Sequence, residues 1–131
     1  MNLYFSIHNI FQGVFVNIPG HLQSFLENEY AYFETPPLEN VNVEIRFVEK
    51  IDIPAEGISL REGLVYSNGL AFFTFQGAKM KVPLKDISSD FIRVESEESI
   101  VQWFILYAVE KLLHLKVIEK GYCLFHAAGV R

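Results

Sequence analysis

Five groups of residues in this 131-residue chain are of types that could do chemistry. Cys123 and His126 lie three apart near the C-terminal end. On an extended segment, residues at odd separation point to opposite faces, so the pair does not share a metal without a bulge. A zinc site of this kind needs further thiolates or imidazoles, and the chain has no second cysteine. Glu110 and His114 are one helical turn apart and can form a carboxylate–imidazole pair, but no nucleophile with a local signature accompanies them. His8 and His21 show no informative spacing. Tyr30, Tyr32 and Phe33 sit among Glu27, Glu29 and Glu34. Such a mixture can dock a basic or apolar peptide, or anchor a helix into a core. Gly57, Gly63, Gly69 and Gly77 are single turn glycines and make no phosphate cradle of the strand–loop–helix type. No catalytic, cofactor-binding or metal-binding residue is assigned within the chain.

The elements that must position these residues are legible in outline. The longest is the run 99–115, followed by Lys116, Lys120 and Gly121. Val101, Phe104, Ile105, Ala108, Leu112 and Leu115 fall at helical spacing, while Leu106, Leu113 and Val117 add apolar surface opposite. A helix apolar on two sides needs cover on two sides. Ser96 is the expected N-cap, with Glu97 and Glu98 in the first turn, and Gly121 the left-handed stop.

Upstream, 3–7 and 14–18 read as strands joined through 9–13, with Gly13 as the left-handed residue. Residues 21–33 have helical spacing and end at Thr35-Pro36-Pro37. Residues 41–47 alternate, Val41, Val43, Ile45 and Phe47 inward, Asn42, Glu44 and Arg46 toward water. Residues 51–59 read as loop. Three short strands follow, 63–66, 70–75 and 79–84, around Ser67-Asn68-Gly69 and Gln76-Gly77-Ala78, and a fourth at 91–94. Lys79 and Lys81 suit a sheet edge. The fold class expected is α+β: an antiparallel sheet of meanders and hairpins, a long C-terminal helix on one face and a shorter helix near the N-terminus.

The C-terminal segment Leu124-Phe125-His126-Ala127-Ala128-x-Val130, preceded by a helix and a glycine, resembles the entry into the ATP-binding domain of HPr kinase-like proteins. In that family a strand of this pattern precedes a short turn, a second strand and the phosphate-binding loop. The resemblance covers about the last tenth of the chain in residue identity, and G-x-x-x-x-G-K-[ST] is absent from it. It implies an N-terminal domain, 1–121, and a first strand, 122–131, of a nucleotide-binding domain lying beyond. It also implies a parent that binds ATP and Mg and phosphorylates a protein or small molecule, with this chain serving docking, substrate access or oligomerisation. A stand-alone protein- or peptide-binding module using the aromatic-acidic surface is the other reading.

Composition bounds the partners. Half the residues are hydrophobic, phenylalanine occurs twelve times and the formal charge is −5. Up to Leu60 there are eight acidic residues against Arg46 and Lys50. That balance argues against nucleic acid and anionic membrane surfaces, which need clustered cations. The N-terminal stretch lacks a basic region and is broken by Asn9, Gln12, Gly13, Asn17, Pro19 and Gly20, so no signal or span is read there. A single cysteine suits a reducing, cytoplasmic setting. The apolar surplus implies a well-filled core or a surface that meets a partner. The helix with two apolar sides and the unpaired strand edge at 122–130 lead to an expectation of self-association.

Overall fold

The computed structural model describes residues 1–119 and 121. The fold is α+β, one nine-stranded sheet with two helices on one of its faces. The strands are β1 Leu3–Ile7, β2 Phe11–Val16, β3 Glu34–Thr35, β4 Val43–Val48, β5 Ile58–Arg61, β6 Leu64–Ser67, β7 Leu70–Phe75, β8 Ala78–Val82 and β9 Ile92–Glu97. The helices are α1 Gly20–Glu29 and α2 Gln102–Glu119, and the order across the sheet is β3-β1-β2-β4-β9-β8-β7-β6-β5.

The sheet is mixed. β1, β3 and the run β5 to β9 pair antiparallel, but β2–β4 and β4–β9 are parallel. Between β2 and β4 the chain crosses the sheet face through α1, and a crossover brings the next strand back in the same direction. The four strands β5 to β8 then fold as an inserted meander before β9 returns beside β4. Asn42 ties the start of this parallel centre. Its Oδ1 accepts from the Gln12 amide at 2.8 Å, its own amide donates to the Gln12 carbonyl at 2.7 Å, and its carbonyl accepts from Ile92 at 2.9 Å.

The turns follow local chemistry. Asn68-Gly69 and Gln76-Gly77 both have positive φ, as a two-residue hairpin requires. Between β1 and β2 the left-handed residues are His8 and Asn9, with the Ile10 amide donating to the Ile7 carbonyl. Gly13 lies inside β2, against the expectation that it turns the chain. A Cβ there would come within 2.4 Å of Phe5 Cζ and 2.8 Å of Val43 Cγ1. Glycine at this position admits the Phe5 ring, which packs on Phe11, Phe15 and Tyr30 with centroids 4.9 to 6.1 Å away.

The main core lies between the helix-bearing face and the helices: Phe5, Phe11, Phe15, Val43, Ile45, Ile92, Val94 and Met80 from strands, Leu22, Leu26, Ile105 and Val109 from helices. α1 ends at Glu29, shorter than the expected 21–33. The residues after it turn at Tyr30 to Phe33, where the Phe33 amide donates to the Tyr30 carbonyl. β5 occupies the end of the segment expected to be loop. Its alternation Ile58-Ser59-Leu60-Arg61 is a strand pattern, but all four residues are exposed. Gly121 has φ of 82°, and its amide donates to the Ile118 carbonyl, as a left-handed stop requires. The segment 122–131 assigned to a second domain lies outside the described residues, as do Cys123 and His126.

Candidate functional site

α2 determines the most distinctive surface of the molecule. The run it comes from is apolar almost all round, so its pattern does not state which side is inward. The structure turns Ile105, Val109, Leu112 and Lys116 to the core. Phe104 and Ala108, expected on the buried face, are half-buried at its margin, and Leu115 is exposed. Lys116 can take an inward position because its Nζ donates to the Ser89 carbonyl and lies 3.5 Å from Glu119. Leu106 and Leu113 pack against the core as partly buried residues, so the second apolar side is partly covered within the domain.

The helix starts at Gln102, and the expected cap is not used. Ser96 and Glu97 belong to β9. Ser96 is buried, with its hydroxyl 3.2 Å from the Glu97 carbonyl. Glu97, only 6% exposed, accepts from the amides of Ile51 and Lys79, both at 2.8 Å, and its Oε2 lies 3.6 Å from Lys79 Nζ. Burial alone would raise its pKa. The two amide donors and the Lys79 ammonium outweigh that and hold the carboxyl below the usual range. The carboxylate thus serves as an acceptor where the β8–β9 ladder stops, since pairing ends at Met80↔Ser96.

The sheet face away from the helices carries further ion pairs. Glu44, expected in water, is buried and receives Arg46 Nε at 2.7 Å and Arg93 Nε at 2.8 Å on the same oxygen. Lys81 Nζ lies 2.6 Å from Glu95. Lys79 and Lys81 therefore sit on an interior strand beside acidic partners, not on an edge. Each of these carboxylates is paired with a cation, and Glu44 also lines a shallow surface pocket with Tyr4, Val14 and Glu39.

On the helix face an apolar groove of about 300 Å³ opens between α2 and the β7–β9 region. Phe73, Met80, Val82 and Val94 come from the sheet, Leu84 and Ile87 from the short turn after β8, and Phe104, Ala108 and Leu112 from α2. Arg61, Tyr107 and Lys111 are its polar members. Along the adjoining rim the aromatics form a series. Phe75 meets Trp103 edge-on at 4.7 Å and stacks on Phe104 at 5.2 Å, and Phe104 lies 6.2 Å from Tyr107. Lys111 Nζ stands 5.1 Å over the Tyr107 ring. Trp103, Tyr107 and Ile118 are each more than half exposed, and they mark the outward stripe of the helix.

No family model, no curated protein and no solved structure matches the chain. What the surfaces can do is therefore a matter of their geometry. Of the residues that the sequence singled out, the aromatic-acidic group is dispersed. Tyr30 is buried against Phe5 and Phe15, and burial, with Glu29 nearby, pushes its phenol above the ordinary tyrosine range. Phe33 packs on the core and meets His8 edge-on, which leaves Tyr32, at 97% exposure, alone outside. Glu110 and His114 lie half-buried on α2, and His21 is an exposed residue in the first turn of α1. Among the described residues no group of three or more His, Cys, Asp or Glu could hold a metal ion. Among them, too, no helix is long and apolar enough to cross a membrane. The groove and the aromatic stripe were missed in the sequence because they join β5, β7, β8 and α2, which only the sheet order brings together.

Proposed function

We propose that this chain is a non-catalytic docking domain of a longer, cytoplasmic HPr kinase-like protein, and that it docks through the outward stripe of α2. The observation that carries the reading is the exposure of Trp103, Tyr107 and Ile118 on the helix that leads directly to the Leu124–Val130 motif. Large aromatics in water cost free energy that a contact recovers, and aromatic residues anchor protein interfaces. The natural occupant is the nucleotide-binding domain that the motif opens in that family, with a protein or peptide substrate reaching the same region and a homo-oligomer as the assembled form. ATP and Mg would be held by that domain's own phosphate loop, not by residues of this chain.

Two measurements test this. The gene should continue past Arg131 into Gly-x-x-x-x-Gly-Lys-Ser/Thr within about thirty residues, after a strand and at a helix start. A continuation without it overturns the kinase-like assignment. In the extended protein, Trp103→Asp with Tyr107→Asp should separate the two domains in limited proteolysis and small-angle scattering. An unaltered pattern overturns the docking face.

A further inference from the structure

The outward stripe leaves the groove beside it unused. Apart from Arg61, Tyr107 and Lys111 its walls are apolar, and among the described residues no acidic side chain lines it. The charges at its mouth are of one sign. Of the lysine and arginine side chains among the described residues, six have a carboxylate within ion-pair distance: Arg46, Lys50, Lys79, Lys81, Arg93 and Lys116. Arg61, Lys85 and Lys111 have none. Arg61 and Lys111 line the groove, and Lys85 directly follows Leu84, which also lines it. The carboxylates next to them in sequence, Glu62, Asp86 and Glu110, are not among its lining residues. Two of these three cations among the described residues, Arg61 and Lys111, thus line one apolar opening in a chain of net charge −5.

We propose that the groove is a binding site for a small amphiphilic anion, an organic carboxylate with an unbranched apolar tail. The tail lies between Phe73, Met80 and Val94 of the sheet and Phe104, Ala108 and Leu112 of α2. The carboxylate meets Arg61 and Lys111 at the mouth, where Tyr107 braces the ammonium. The size fits this class, since small-molecule sites begin near this volume and are mostly apolar with a few convergent polar groups. An extended peptide fits less well. The floor of the groove is a sheet face, not an edge, so it offers no free main-chain donors for strand addition. The docking role uses the outward stripe, which shares Tyr107 with the groove mouth, whereas Phe73, Met80, Val94 and Ala108 belong to the groove alone.

The test is calorimetry on the full chain with three probes sharing one tail: decanoate, decanol and decyltrimethylammonium. Decanoate should bind with a Kd below about 1 mM, decanol about tenfold more weakly, and the cation more weakly still. Arg61→Gln with Lys111→Gln should bring decanoate down to the level of decanol. Ala108→Phe, which fills the groove from α2, should abolish binding of all three while far-ultraviolet circular dichroism stays native. Equal affinity for the three probes, no decanoate binding, or binding indifferent to Ala108→Phe would each overturn the proposal. Capture of an apolar helical peptide with no response to decanoate would also overturn it, in favour of a macromolecular occupant.

Discussion

Glu97 shows how a single side chain changes meaning between sequence and structure. Beside Ser96 and ahead of a long helical run it has the position of a first-turn carboxylate. In the fold it closes the end of β9, giving two amides their acceptor and facing Lys79. Its pKa is held down in the folded state, so its ionisation stabilises the fold above the ordinary glutamate range. That contribution is lost as pH falls below about 4, through the ordinary value and then the lowered one. Glu97→Gln keeps the shape but turns an NH₂ toward one of the amides. It should cost about 1–3 kcal/mol at neutral pH. Urea midpoints measured from neutral to acid pH should show the variant's deficit shrinking toward the acid end. A constant deficit would mean the charge is not the cause. Glu44 carries a similar lesson: alternation along β4 assigns it to water, but it is buried, because Arg46 and Arg93 enclose it and nothing local tells that they will.

At the scale of elements, local chemistry specified turns better than helix orientation. Asn68-Gly69 needs positive φ at both positions and has it, whatever the sheet around it does. α2 is the contrary case. Its apolar residues surround the axis, and its inward side was decided by the partners it met, down to a buried Lys116. The orientation has a direct check. Ile105→Ala removes a fully buried side chain and should cost about 2–5 kcal/mol. Ile118→Ala, on the exposed stripe, should change stability by less than about 0.5 kcal/mol. Denaturant midpoints in the reverse order would place the helix the other way round.

At the scale of the whole molecule, the exposed stripe on α2 and the edge strand β5 are, among the described residues, apolar surfaces that another copy can cover. β5 ends the sheet, and Ile58 and Leu60 on it are exposed. A symmetric dimer is the simplest closed arrangement that covers such a surface. Sedimentation of the chain at micromolar concentration should give a dimer, and Trp103→Asp with Tyr107→Asp should shift it to monomer. A monomer of the native chain at the same concentration would remove self-association from the reading.

Taken alone, the sequence determined the α+β class, the hairpin turns of the meander, the alternation of β4 and the left-handed stop at Gly121. Each depends on neighbours within a few residues: a positive φ, a period of two, a missing Cβ. Tertiary structure decided the rest. α1 carries the chain across the sheet, so β4 returns parallel to β2, and β9 then runs parallel to β4 on its other side. That order places Lys79 and Lys81 inside the sheet and opposes Gly13 to Phe5. It also brings Arg61 from β5 and Lys111 from α2 to one groove. Such pairings are set by which strand lies beside which, and the free energy that selects among those orders comes from burying the common apolar face, a quantity no short segment contains.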